Sequence, residues 1–556
     1  MSKSSEKEAQ FPWRIGWWIC LTATLAGTGL QAVYFTHAGA LWRDEAGGVQ
    51  LAVLPSFGET WRMLAHDGFP VFFPALVRVW SALGLGASDM ALRTLGLFIG
   101  LGILAAMWLN GRLMGFRMPF ISLGLLAANV AVVTWGDSLR AYGCGSLFIL
   151  ITLGLIWRLM RAPGRLSFLL ATLAAVLSVQ TLFQNAFLLL AACVAGSVVC
   201  ARHRQWRTAG WVMGVGLVAG MSLAPYAPHI MESQSWWILQ KTEFDPARIG
   251  YNVLLALGSL VNWPFGVWLG LMLLTAVAGG IALLKQAKDT RIGPEDLSSF
   301  GAAALAAGIA GFLAFIRLSE LPTEPWYFLP FMVFAATAMD AALAQGCHRF
   351  HIWSACWLAA MVGLQFPTTW KFAEYRQTNI DLIAAELQQQ ARPGDFIVVY
   401  PCHCGITFER YYTGRIPWTT SPAIADLRFH RFDLLKEKMQ ETFPVKPELD
   451  QMAQTLASNH TLWLVFESPD KAPPQTRPSD LPPAPLPNLR WGWWEGFYIY
   501  AWRQQLEYWV ATHARQVKDV SVKPDIRVNP YEKLSLIQAS GWQEPAGTSR
   551  DNSTPP

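Results

Sequence analysis

Acidic side chains gather where this chain leaves its first apolar run. The stretch from Leu41 to Leu83 carries Asp44 and Glu45 side by side, then His66-Asp67, then Pro70, Phe72, Phe73 and Pro74. Carboxylates beside a membrane surface are costly unless hydrated or paired, which makes them functional candidates. An acidic helix start capping a juxtamembrane helix is the structural alternative. Farther on, Trp135-Gly136-Asp137-Ser138-Leu139-Arg140-Ala141-Tyr142 sets a carboxylate and a guanidinium three residues apart. They share one face if the helix runs on; otherwise they read as an interfacial ion pair with a snorkelling Arg. The loop from His229 to Gly250 holds Trp236, Trp237, Lys241 and Arg248. Aromatics beside cations suit a sugar or a lipid-phosphate headgroup, and are equally usual at any membrane interface. Finally, Cys402-His403-Cys404 offers three metal donors. A lone Cys-x-Cys is a weak signal, and in an oxidising compartment a disulfide or an inert pair is the stronger expectation.

The elements that must position these groups are membrane helices. With 53% hydrophobic and 15% charged residues, the chain is too apolar for a soluble enzyme. Apolar runs of about 18 or more residues recur along it. Eleven spans are expected, near 15–36, 91–111, 117–135, 143–160, 165–182, 186–201, 208–226, 262–284, 298–316, 326–345 and 351–368. The first run is long enough to stay as an anchor and has no small-residue cleavage site, so no cleavable signal peptide is expected. Six of the eight cysteines, Cys20, Cys144, Cys193, Cys200, Cys347 and Cys356, lie in or beside these spans as small apolar packers. The net charge of +5 is small and follows membrane sidedness, which argues against a nucleic-acid partner.

Connecting segments alternate in charge. One set holds Arg14, Arg112 and Arg117, Arg158 to Arg165, Arg202 to Arg207, Lys285, Lys288, Arg291 and Arg349; the other holds Asp44, Glu45, Asp67, Asp137, Glu232, Glu243, Asp245, Glu320 and Glu324. The positive-inside rule makes the basic set cytoplasmic and turns the carboxylates outward. If Phe69–Leu85 also crossed, every later basic loop would invert, so it is expected to lie at the outer interface. From Trp370 the pattern becomes soluble. A helix over Thr378–Gln390, a strand over Phe396–Tyr400, a helix over Gly405–Gly414 and a strand over Thr461–Phe466 indicate a small α/β domain with a parallel sheet. The expected organisation is a cytoplasmic 1–14, a membrane domain 15–369 with outer loop 37–90, an extracytoplasmic α/β domain 370–543 broken by a Pro-rich linker near 469–487, and a disordered tail 544–556.

Trp42-Arg43-Asp44-Glu45 resembles the WxDE-type motif of GT-C class membrane glycosyltransferases, the mannosyltransferase and aminoarabinose-transferase-like enzymes that use polyprenyl-phosphate sugars. That family continues with Asp-x-His-Pro-Pro-Leu-Tyr-Tyr. Here Asp67-Gly68-Phe69-Pro70-Val71-Phe72-Phe73 stands instead, so any role of the His is not carried over. Asp137-x-x-Arg140-x-Tyr142 resembles the family's (Glu/Asp)-x-x-Arg-x-Tyr, and Leu223-Ala224-Pro225-Tyr226-Ala227-Pro228 its Pro-Trp-x-Pro helix ending. Trp326-Tyr327-Phe328-Leu329-Pro330 stands where the family shows Arg-Tyr-x-x-Pro, with Trp326 replacing the Arg.

The resemblance implies an α-helical polytopic fold in the cell (inner) membrane. It implies transfer of a sugar from a polyprenyl-phosphate donor to a lipid, glycan or protein acceptor, with inversion at the anomeric carbon. An acceptor hydroxyl is a weak nucleophile and needs a base, the role expected of Asp44. Neighbours on a helix point about 100° apart, so Glu45 is expected to act in structure or substrate positioning. The leaving phosphate needs cations: Arg140 first, with Lys241 and Arg317 behind it. Asp67 is expected to bind a sugar hydroxyl or else a divalent metal; no other cofactor is implied. Tyr142 and Tyr327 complete the expected substrate contacts. The rival class is a transporter or flippase, but charges gathered at one face without an internal repeat argue against it.

Overall fold

The apolar segments fold as helices, and their lengths sort them. The structure, a computed structural model, describes residues 3–258, 263–285, 290–467, 476–488 and 490–544. The expected tail beyond 544, part of the Pro-rich linker and Lys288 lie outside the described residues. Eight described helices are long and apolar enough to cross a membrane, against eleven spans expected. The other three differ for separate reasons. Arg165–Val179 has 15 residues and reaches only about 22 Å at about 1.5 Å per residue. His351–Ala373 is long enough but carries Pro367 and several polar residues. The segment 117–135 is two short helices, Phe120–Leu126 and Val130–Gly136. Phe72–Leu85 is a short apolar helix, under the ~30 Å of a hydrocarbon core, which favours an interfacial position.

The broken third segment shows how a membrane interior tolerates helix ends. Every freed backbone group there must find a partner, because no water supplies one. The amides of Ile121 and Ser122 donate to the Asp340 carboxylate at 2.8 Å. The Asn129 side chain accepts from Val132 N at 3.1 Å to cap the second helix. Thr369 Oγ1 donates to Ala128 O at 2.6 Å, and Gln365 Nε2 to Gly124 O at 2.9 Å. Elsewhere Asn110 donates to Leu150 O at 2.9 Å and Asn185 to Gly145 O at 3.0 Å, polar contacts between helices of the kind lipid-embedded bundles use. The outer faces stay apolar: Leu273, Leu274, Val277, Ile281 and Leu284 are all exposed on one helix. A surface this greasy calls for lipid rather than water.

Small residues let backbones touch. In Gly96-Leu97-Phe98-Ile99-Gly100, an added Cβ at Gly96 would meet Asp137 O at 1.9 Å, and one at Gly100 would meet Asp137 Oδ1 at 1.7 Å. Gly96→Ala gains about 1 kcal/mol of helix propensity. It also forces a backbone carbonyl aside, and overpacking costs about 1–3 kcal/mol. The net expectation is a lower melting temperature in detergent, with Gly29→Ala, a mid-helix position that meets nothing within 4 Å, as the control that gains propensity without a clash and should melt no lower than wild type. A Gly96→Ala protein melting at or above wild type would contradict this packing.

Contacts divide the chain into two compact units that ignore linear order. The first contains Met1–Ala38, Gly68–His229 and Glu243–Glu374; the second contains Gly39–Asp67, Ile230–Thr242 and Tyr375–Pro556. The second unit is built on a five-stranded sheet of β1 (Phe396–Tyr400), β2 (Trp418–Thr420), β3 (Leu462–Glu467), β4 (Ala514–Val520) and β5 (Leu534–Trp542). The order is β2-β1-β3-β5-β4. β1 lies parallel to β2 and β3, whereas β5 runs antiparallel to β3 and β4. The sheet is therefore mixed, not parallel. β4 escaped the sequence reading because ARQVKDV is a charged edge strand without an apolar face. β1 is buried along its whole length. Val398 and Tyr400 face one core with Leu464 and Trp502, and Ile397 and Val399 face another with Trp463 and Phe408. Such two-sided burial suits continuous apolar strands.

Candidate functional site

Asp44 sits in the first turn of the Arg43–Ala52 helix. Its sequence, RDEAGGVQLA, is a weak helix former with two adjacent glycines, so tertiary contacts must hold it. Trp42 at the N-cap supplies no side-chain cap. Instead the Arg43 amide donates to Glu532 Oε2 at 2.7 Å, a carboxylate placed where the helix dipole favours one. Leu41 N donates to Tyr411 OH at 2.7 Å, and Arg43 Nη1 to Tyr531 O at 2.9 Å. Burial pushes the Glu532 carboxyl up to about 7, against the pull of Arg43.

The helix turn separates the two acidic residues as the sequence predicts. The Glu45 residue is fully buried. Asp44 keeps 21% of its side chain exposed, with Oδ1 3.2 Å from His430 Nε2 and 3.8 Å from Arg43 Nε. The His430 ring stacks on Phe432 at 5.5 Å. Close by in sequence, Arg431 bridges Asp426 at 2.6 Å and Asp433 at 2.7 Å. Hydrogen bonding from Arg428 holds Asp426 down at about 2. His66 stacks between Trp236 at 4.8 Å and Phe429 at 5.6 Å, with Nδ1 3.8 Å from Asp433. Burial pushes its imidazole below the ordinary range, towards the neutral form. Asp67 caps the turn after His66, its amide donating to Leu64 O at 3.1 Å. Lys241 follows the Ile238–Gln240 turn, half-buried in the same unit.

The first unit gathers the others. The helix does not run on through Asp137: Val130–Gly136 ends there, and Arg140, in extended conformation, is the N-cap of Ala141–Arg161. Gly143 lies too close to Gly136 O, 2.0 Å from an added Cβ, for a continuous rod. The shared face considered from the sequence is therefore not formed. The Asp137 carboxylate turns into the Gly96/Gly100 notch, and neither oxygen has a hydrogen-bond partner among the described residues. Arg140 lies over the Phe69 ring at 4.5 Å. Phe69 meets Tyr142 edge-on at 5.3 Å, and Tyr142 stacks on Tyr327 at 5.6 Å. A cation at a helix N-terminus adds to the positive end of the helix dipole, and that combination favours an anion. Trp326 packs on Trp135 at 4.4 Å, which explains an aromatic there as packing. Arg317 is 61% exposed and lies 3.9 Å from Glu320 on the last turn of its helix.

Among the described residues, one group of three metal-ligating side chains comes close enough to share an ion. It is His403, Cys404 and Glu467, and it includes neither Asp44 nor Asp67. Sequence reasoning missed His430, Tyr531 and Glu532. No local signal could have shown them, since each meets the Trp42–Asp44 turn from more than 380 positions away in the chain.

No family model matches this chain, and no curated protein does. Among solved structures it is similar to the Archaeoglobus fulgidus oligosaccharyltransferase in the apo form, at 12% identity and a TM-score of 0.49, over 92% of this chain and 75% of that one. The same enzyme with Zn and sulfate gives 12% identity and a TM-score of 0.48, over 81% and 68%. ArnT from Cupriavidus metallidurans in the apo state gives 13% identity and a TM-score of 0.34, over 79% and 91%. Likeness at this level assigns no chemistry to the chain.

Proposed function

We propose that this protein is a GT-C type membrane glycosyltransferase. It transfers a sugar from a polyprenyl-phosphate donor to a lipid, glycan or protein acceptor at the extracytoplasmic face of the cell (inner) membrane. The observation that carries the reading is Asp44: a part-exposed carboxylate in a Trp-x-Asp-Glu motif, oriented by His430 at 3.2 Å. Asp44 takes the proton of the acceptor hydroxyl as its oxygen attacks the anomeric carbon. The bond from that carbon to the donor phosphate breaks in the same displacement, so the configuration inverts. Positioned bases of this kind contribute about 10²–10⁴-fold. Arg140, with the amide end of Ala141–Arg161, stabilises the charge that grows on the leaving phosphate. Lys241 and Arg317 serve as further cations, Tyr142 and Tyr327 as sugar contacts, and Asp67 as a ligand to a sugar hydroxyl. Glu45, buried in its helix, holds the Asp44 turn in place.

The test is direct. Purified protein supplied with polyprenyl-phosphate sugars and candidate acceptors should release free polyprenyl phosphate and form a glycosidic product. Release from none of the donors would overturn the reading. So would movement of intact lipid-linked sugar across a proteoliposome membrane without product, which is what a flippase does.

A further inference from the structure

A separate chemistry stands at the carboxyl edge of the sheet. β1 ends at Tyr400 and leads through Pro401 into the Cys402–Cys404 turn. β3 lies parallel to it, with Tyr400 opposite Phe466, and ends one residue later at Glu467. Parallel register thus brings the residues after both strands to one edge. In sheets with parallel strands, ligands bind outside the carboxyl ends. No Gly-rich phosphate loop occupies this edge. Instead β1 runs on into Cys-His-Cys, and β3 terminates in a carboxylate.

We propose that His403, Cys404 and Glu467 form a binding site for a divalent transition-metal ion of the Zn2+ type. One nitrogen, one sulfur and one oxygen donor suit a borderline-soft ion, whereas Mg2+ and Ca2+ take oxygen almost exclusively. His403 Nε2 lies 3.8 Å from Glu467 Oε1, and the three donor atoms all lie within 4.8 Å of one another. Tetrahedral zinc, with bonds of about 2.0 Å to nitrogen or oxygen and about 2.3 Å to sulfur, sets its ligand atoms about 3.3–3.5 Å apart. The gathering that remains is at most about 1.5 Å, within reach of side-chain rotation. His403 and Glu467 keep 25% and 38% side-chain exposure, while Cys404 is buried. Their exposed side admits water as the fourth ligand.

Thiolate and carboxylate together neutralise the dication. Arg43 lies within electrostatic reach of all three donors, and Asp44 and Glu532 lie within its own reach. The local charge therefore does not exclude a cation. Cys402 is also buried, and both thiols are free. That removes the disulfide considered from sequence and leaves Cys404 available as a ligand.

The experiment uses the full-length protein in detergent, purified with reductant and loaded with Co2+ alone. A thiolate-to-cobalt charge-transfer band in the near ultraviolet is expected, displaced by Zn2+. Cys404→Ser should abolish the band and Cys402→Ser should keep it. His403→Ala and Glu467→Gln should weaken binding by more than about tenfold, the least that loss of even an outer partner costs a metal site. Glu467 is part-exposed, so its variant keeps the test readable if Cys404→Ser fails to fold. A wild-type protein that retains no Co2+, a band that survives Cys404→Ser, or unchanged affinity in Glu467→Gln would overturn the site. The readout does not involve sugar transfer, so it stands or falls apart from the proposed activity.

Discussion

Asp44→Asn should lower turnover by about 10²–10⁴-fold, the usual contribution of a positioned general base. Asn keeps the size of the side chain and an oxygen that can still accept from His430, so the 3.2 Å contact has a replacement. What it loses is the ability to take a proton. The helix should survive, because the contacts that hold its start run through the Arg43 amide, the Arg43 guanidinium and Leu41. Donor affinity should change little, since a base acts on the acceptor. The measurement is sugar release from a polyprenyl-phosphate donor by wild type and variant at matched donor occupancy. Glu45→Gln is the informative neighbour: its side chain is wholly buried, so its effect should appear in yield or melting temperature more than in turnover. Equal turnover of Asp44→Asn and wild type would remove Asp44 from the mechanism.

Arg140→Ala should cost about 10²–10³-fold in kcat, the scale set by removing one group that stabilises developing oxyanion charge. Arg140→Lys should keep part of the rate, because the charge stays although the bidentate fork is lost. The position favours this reading. Arg140 stands at the N-terminus of Ala141–Arg161, where its charge adds to the positive end of the helix dipole, an arrangement suited to an anion. Its contact over the Phe69 ring at 4.5 Å is worth about 0.5–2 kcal/mol and would also be lost in the Ala variant. Melting temperature must therefore be compared alongside kcat. Lys preserves much of the ring contact, so a kcat deficit in Arg140→Lys at unchanged melting temperature isolates the phosphate role. An Arg140→Ala protein that turns over donor at the wild-type rate would end the assignment.

Apolar run length and strand alternation are local properties, and the chain states them plainly. Eight of the eleven expected spans fold as long apolar helices, and Phe396–Tyr400 is the buried strand its five apolar residues require. The Asp44 and Glu45 side chains diverge as 3.6 residues per turn demand, one part-exposed and one buried. Where the sequence reading failed, a distant residue decided the matter. The segment 117–135 breaks because Asp340, Gln365 and Thr369 satisfy its helix ends from more than 200 positions away. Asp137 and Arg140 part because glycines at 96 and 100 open a notch for the carboxylate and Gly143 draws the next helix against Gly136. β4 is visible only through its pairing with β5, because a charged edge strand carries no alternation of its own. His430 reaches Asp44 from far along the chain, and Glu467 joins His403 and Cys404 only because the register of β1 and β3 brings it to hand. Periodicity fixes which face a residue takes within its own element, but hydrogen-bond and ion-pair partners are chosen by packing, and packing joins elements that lie far apart in the chain.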